Sequence, residues 1–182
     1  MTAYVGLLRG VNVGGRNKLP MVMLRSTATG CGFSEVQTYI QSGNVIFGSR
    51  LGAAKVIAKL HDAILTECGI DTRVVLRTAA DLAAIVKKNP FLAQGVDEKL
   101  LHVSFLYDES APTLDAVDAA VYAPDEIALA GTHAYVYVPN GLGRSKLANE
   151  SMLRKLGLMG TTRNWRTVTT LAEMAAGSTT VR

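Results

Sequence analysis

The sequence predicts an α+β fold: two ferredoxin-like (βαββαβ-type) halves with an extra C-terminal helix. Two observations lead to it. Each half opens with an apolar, strand-like run, passes through a helical stretch, and reaches a tight-turn signal between strand-forming residues, Ser42-Gly43 in the first half and Gly131-Thr132 in the second. The strands therefore arrive as hairpins, where a doubly wound parallel sheet would use crossover helices. The expected boundaries are a first half over residues 1–78, a connector helix and loop over 79–98, a second half with the C-terminal helix over 99–176, and a flexible tail over 177–182.

Ala3–Leu8 is a continuous apolar run closed by Arg9-Gly10, the pattern of a buried strand. A loop over Gly10–Lys18 leads to Pro20, which suits the first position of a helix running to Thr29. Met21, Leu24 and Ala28 share one face of it, and Gly30 and Gly32 stop it. Val36–Gln41 and Asn44–Phe47 read as the first hairpin. Gly52–Gly69 is a longer helix with Val56, Ile57, Leu60 and Ile64 on one face, and Thr72–Arg77 is a strand. Thr78 and Asp81 form a capping box for a helix ending at Lys87-Lys88, before Asn89-Pro90. In the second half Leu100–Tyr107 is a strand and Pro112–Val121 a helix. Asp125–Ala130 and His133–Val138 form a hairpin, Ala148–Leu156 is a helix, and Thr161–Arg166 opens a last helix through Ala176. Trp165, Val168, Ala172 and Ala175 face inward on that helix.

Composition narrows the class. The 182 residues are 48% hydrophobic and 19% charged, normal for a globular protein. No apolar run approaches the ~20 residues of a membrane span, and Ala3–Leu8 is too short for a signal h-region, so a cytoplasmic protein without a membrane partner is expected. Cys31 and Cys68 show no metal or redox spacing and read as small buried hydrophobes. His61, His102 and His133 are scattered, so no metal site is expected, and no cofactor motif is present. Net charge is +4, but unevenly spread. Arg9, Arg16, Lys18 and Arg25 stand in 9–25 with no acid. Arg144, Lys146, Arg154, Lys155, Arg163 and Arg166 stand in 141–166 against Glu150 alone. Residues 97–126 are acidic, with Asp97, Glu98, Asp108, Glu109, Asp115, Asp118, Asp125 and Glu126 against Lys99. That asymmetry favours an anionic partner at one face.

The basic clusters coincide with glycine-rich turns. Arg9-Gly10-Val11-Asn12-Val13-Gly14-Gly15-Arg16-Asn17-Lys18 precedes the helix at Pro20, Gly141-Leu142-Gly143-Arg144-Ser145-Lys146 precedes the next helical stretch, and Arg163-Asn164-Trp165-Arg166 opens the last. A helix N-terminus carries about half a positive charge, and each cation placed there costs ~0.3–1 kcal/mol at the surface. A bound anion reverses the sign, since backbone N–H groups and side-chain cations then converge on it. The plain alternative is that the glycines only shape turns. Neither loop is a P-loop: no Gly-Lys-Ser/Thr follows Gly14-Gly15, and Ser145 precedes Lys146. Trp165 between arginines could stack on a base, but its spacing with Val168 argues for the core.

The opening Leu7-Leu8-Arg9-Gly10-Val11-Asn12-Val13-Gly14-Gly15, the hairpin Tyr39-Ile40-Gln41-Ser42-Gly43-Asn44-Val45, the loop Gly143-Arg144-Ser145-Lys146-Leu147 and Thr161-Thr162-Arg163-Asn164-Trp165-Arg166-Thr167-Val168 resemble the bacterial family filed as domain of unknown function 1697. The resemblance implies two ferredoxin-like halves and no established activity. The leading functional expectation is a binding protein for an anionic ligand, nucleic acid or a phosphorylated small molecule. Its site residues would be Arg9, Asn12, Gly14, Gly15, Arg16, Lys18, Gly143, Arg144, Ser145, Lys146, Arg163, Asn164 and Arg166. Two alternatives stand beside it. One is an enzyme acting on a small anionic metabolite in the cleft between the halves, with Ser145, Asn12 or Ser42 assisting. The other is an interaction protein whose basic face meets an acidic one. No catalytic pair emerges from the sequence, and oligomeric state is left open.

Overall fold

The structure, a computed structural model, describes residues 1–107 and 118–178. The chain divides into two compact units, Met1–Val86 with Thr169–Arg182, and Lys87–Val168.

In the first unit β1 (Thr2–Leu8), β2 (Ser34–Tyr39), β3 (Asn44–Ser49) and β4 (Val74–Thr78) form one antiparallel sheet in the order β2-β3-β1-β4. α1 (Met21–Gly30) connects β1 to β2, and α2 (Ala53–Cys68) connects β3 to β4. This is the ferredoxin-like arrangement, with the first strand central. Tyr4 and Leu8 of β1, Val45 and Phe47 of β3 and Val74 and Leu76 of β4 join Leu24 and Ala28 of α1 and Val56, Leu60 and Ile64 of α2 in one core. Val5, Leu7 and Ile46, on the other face, are buried as well. Burial on both faces explains why β1 reads as an unbroken apolar run. α3 (Ala79–Lys87) begins with the expected capping box: Thr78 N–H donates to Asp81 Oδ2 at 2.8 Å, and Asp81 N–H donates to Thr78 Oγ1 at 3.1 Å.

In the second unit β5 (Leu101–Leu106), β6 (Glu126–Ala130), β7 (His133–Tyr137) and β8 (Gly160–Asn164) repeat the order as β6-β7-β5-β8. Leu106, Tyr122, Ala134, Val136, Leu147, Leu156 and Leu158 form its core. Two expectations need correction here. Thr161–Asn164 does not open a helix but forms the strand β8. Its β-branched threonines suit a ladder with β5, where Thr162 pairs with Ser104 and their hydroxyls lie 2.8 Å apart. The helix start falls instead at Asn164, whose Oδ1 accepts from Thr167 N–H at 2.8 Å, so α5 spans Trp165–Ser178 and from Thr169 on belongs to the first unit. Along it Trp165, Val168, Leu171 and Ala175 are buried, while Ala172 is half-buried. Nor is Ala148–Leu156 a single helix. Ser145 caps one 3₁₀ turn (Lys146–Ala148), and Asn149 then caps a short α4 (Glu150–Lys155), because each small polar side chain restarts the backbone hydrogen bonding. Most of the expected Pro112–Val121 helix lies outside the described residues; its end, Ala119–Val121, is a 3₁₀ turn capped by Asp118. Among the described residues no helix is long and apolar enough to cross a membrane.

Candidate functional site

The register of the first sheet gathers three segments at one end. Leu7 pairs with Asn44 and Leu8 with Val74, so the end of β1, the β2–β3 turn and the start of β4 lie together. Leu8 N–H donates to Gly43 O at 2.9 Å and Arg9 N–H to Arg73 O at 3.1 Å, while Thr72 Oγ1 donates to Arg9 O at 2.8 Å. Gly43 has φ +73, and a Cβ there would run into the Val11 side chain and come within 3.0 Å of Leu8 Cβ. Glycine is therefore what lets the loop after β1 lie against the hairpin turn.

That loop is a small hairpin of its own. Val13 and Arg16 form an antiparallel bridge closed by Gly14 and Gly15, both at positive φ (57° and 76°), the geometry of a type I′ turn. Arg16 N–H donates to Val13 O, and Asn12 N–H to Asn17 O, each at 3.0 Å. Asn12, itself left-handed at φ 56°, clamps the base. Its Nδ2 donates to Leu19 O at 2.8 Å and to Gln41 O at 2.7 Å, and its Oδ1 accepts from Leu19 N–H at 2.8 Å. Asn17 Nδ2 donates to Gly10 O at 3.1 Å. Val11 and Leu19 are buried on either side of the tip.

This differs from a backbone cradle at a helix mouth. The glycines close a turn well ahead of Met21, where α1 begins, and both amide hydrogens of Asn12 are spent on the chain itself. What points outward is side-chain charge: Arg16 and Lys18 are exposed, and neither side chain has a hydrogen bond or ion pair among the described residues. Beyond them, α1 has no side-chain cap and no acid in its first turn. Arg73, exposed and joined to Arg9 through the backbone, also stands at this end. Sequence reasoning passed over it. The signal was available, since a split βαβ order puts the start of β4 beside the end of β1. Ser42 and Asn44 are turn formers: Asn44, buried, donates to Tyr39 O at 3.0 Å and Ser42 Oγ at 2.9 Å.

The second glycine loop is occupied by the chain. Ser145 Oγ donates to the buried Asp125 at 2.6 Å and accepts from Leu147 N–H at 2.9 Å, and Lys146 Nζ donates to Val121 O at 2.8 Å. This loop, expected to meet an external anion, already holds a carboxylate of the chain, Asp125. Gly143 and Arg144 are exposed, and the Arg144 side chain has no partner among the described residues.

Arg163 is not on the surface. At 7% exposure in β8, its guanidinium donates to Thr161 Oγ1 at 2.6 Å and to Thr162 O at 3.0 Å. Burial pulls its pKa down to about 10, against an opposing pull from Tyr107. Asn164 is a helix cap, and Arg166 lies exposed in the acid-free first turn of α5. The structure thus brings Arg9, Asn12, Gly14, Gly15, Arg16 and Lys18 to one end of the first sheet. Loop 141–146 and the 164–166 segment share one end of the second sheet, where Val138 N–H bonds Leu100 O and Asn164 pairs with His102.

Elsewhere, His61 lies 3.0 Å from Asp62 Oδ1 and 3.1 Å from Asp71 Oδ1. Among the described residues no group of three or more His, Cys, Asp or Glu could hold a metal. Cys31 is buried, and burial pushes its thiol pKa up, with Lys59 opposing and Glu67 adding. An inert structural thiol fits that setting.

A family model described as protein of unknown function, DUF1697, matches residues 1–135. Among solved structures, the chain is similar to that of the conserved bacterial protein SP0830 from Streptococcus pneumoniae. The TM-score is 0.74 and the identity 23%, over 96% of this chain and 98% of that one, a likeness of fold. No curated protein matches the chain.

Proposed function

The chain belongs to the DUF1697 family, and for this member of it we propose binding of a phosphate-bearing partner, nucleic acid or a nucleotide-like ligand, at the Arg9–Lys18 end of the first sheet. One observation carries the reading: Arg16 and Lys18 stand exposed, without partners among the described residues, on a loop that Asn12 and Asn17 hold in place. The braced backbone leaves no loop-ordering cost to binding, so only the rotamer freedom of the two side chains, about 0.5–1.5 kcal/mol each, is lost on meeting an anion. An extended polyanion suits this end better than a small metabolite. A metabolite site is concave and covers most of its ligand, whereas here Gly14, Gly15, Arg16 and Lys18 are all exposed. Arg9 and Arg73 extend the same basic end.

The test is anisotropy of a labelled oligonucleotide across a salt series. Binding should weaken steeply with salt, and Arg16→Ala and Lys18→Ala should each flatten the logarithmic slope by about 1 on duplex. A salt-independent affinity, or slopes indifferent to both substitutions, refutes the reading.

A further inference from the structure

The free cations of the first sheet's end have apolar company. Val13 and Val22 are 65% and 74% exposed, and Ile40 and Met23 47% and 43%. All four sit around the Asn12 clamp. Val13 follows Asn12, Ile40 precedes the Gln41 whose carbonyl Asn12 binds, and Val22 and Met23 lie in the helical turn just after Leu19, which Asn12 grips at both N–H and C=O. Residues 9–25 contain no acid. Clustered aliphatics this exposed mark an interaction surface. They do not suit base stacking, which needs aromatic or guanidinium planes.

The second unit presents the complementary chemistry. Asp118, Ala119, Ala120 and Val121 are exposed in succession, with Val121 at 43%, and Ala123, Pro124 and Glu126 are exposed after them. This is a small apolar knob with a carboxylate at each end. The Asp118 side chain is fixed by accepting Ala120 N–H at 2.9 Å, and Lys146 is tethered to Val121 O.

We propose that these two surfaces are the halves of one interface between copies of this chain. The Val13, Val22 and Ile40 patch with Arg16 and Lys18 of one copy receives the Asp118–Val121 knob and Glu126 of another. Apolar groups meet apolar groups, and each carboxylate finds a cation that has no other partner. Such a pairing is heterologous. It closes into a dimer where both contacts form at once and otherwise extends from copy to copy. It uses the same two cations as the phosphate-bearing partner, so polyanion and second copy exclude each other at that surface.

Sedimentation velocity tests it over a dilution series from about 100 to 1 μM, the range expected of a small, transient interface. Wild type should sediment faster as concentration rises. R16E/K18E and D118K/E126K should each stay monomeric throughout, with unchanged circular dichroism, since all four side chains are exposed and the one bond lost, Asp118 with Ala120 N–H, caps a single 3₁₀ turn. An equimolar mixture of the two variants should associate again, because charge is then restored at both contacts. A monomeric wild type, association indifferent to either variant, or a mixture that stays dissociated overturns the proposal. Oligonucleotide binding measured at the dilute end, where copies are apart, tests the phosphate reading separately.

Discussion

Asn12 is the side chain on which the geometry of the basic loop depends, and replacing it has a calculable cost. Asn12→Ala deletes three hydrogen bonds, to Leu19 O, Gln41 O and from Leu19 N–H. Each is worth about 1 kcal/mol net, with the exposed one at the lower end. Alanine must also keep φ near 56°, a left-handed conformation that costs a residue without a local hydrogen bond about 1 kcal/mol more. Together about 3.5 kcal/mol should be lost, a sizeable part of the 5–15 kcal/mol by which domains are stable. The loss should register globally, because Val11 and Leu19, on either side of the tip, belong to the core. Urea unfolding of wild type, Asn12→Ala, Asn12→Gly and Asn12→Asp separates the terms. Glycine removes the side chain without the conformational penalty, so Ala minus Gly isolates backbone strain. Aspartate keeps the acceptor for Leu19 N–H but turns an oxygen toward two carbonyls at 2.8 and 2.7 Å. At neutral pH it should therefore be the worst of the three despite its shape. A loss below about 1 kcal/mol for Ala, or Asp tolerated as well as Asn, refutes the clamp.

Gly43→Ala should cost about 2–3 kcal/mol, since φ is +73° and the new methyl meets Val11 and Leu8; a thermal melt that moves by less than about 2 °C contradicts the packing. His61 yields a pH dependence of known sign. Hydrogen bonds to Asp62 and then Asp71 raise its pKa above 6.5, so its contribution is complete below 6.5 and is lost as pH rises through the raised folded value. His102 acts oppositely, because burial lowers its pKa and stability falls as pH drops through 6.5. Urea midpoints of wild type and His61→Gln should therefore differ more at pH 5.5 than at 8.5. The difference is a few tenths of a kcal/mol, since both carboxylates are largely exposed. A gap that widens toward high pH would reverse the assignment.

Much of the fold was legible because local signals and burial agreed. The continuous apolar run of β1, the stripe Val56, Leu60 and Ile64 of α2, and the Thr78–Asp81 box each had one reading, and the structure contains it. Thr161–Asn164 failed for a physical reason. A polar segment beside a helix looks like a helix start, and only pairing with β5, distant in sequence, makes it a strand. The candidate site was legible in composition but not in geometry. Charge counting found Arg16, Lys18 and Arg144, which are exposed, and equally Arg163, which is buried. The Ser145–Asp125 bond spans 20 residues, so no local window shows that the second loop already holds a carboxylate.

The repeated sheet order also bears on where binding can reside. The first basic loop follows β1, the central strand that opens its unit, whereas Gly141–Lys146 follows β7, which runs antiparallel to the corresponding opening strand β5. The two loops therefore occupy opposite ends of equivalent sheets. The sheet order recurs in the second unit but the braced basic hairpin proposed as the site does not, which is the ordinary separation of fold from function. Only the first has two adjacent free cations on a braced hairpin; in the second, Ser145 and Lys146 are committed and Arg144 stands alone. Arg144→Ala should then leave the salt slope of oligonucleotide binding unchanged within error, while R16A/K18A lowers it by about 2. Equal losses from both variants would mean that the second loop binds despite its internal carboxylate, and that side-chain pairing is the wrong criterion for locating the site.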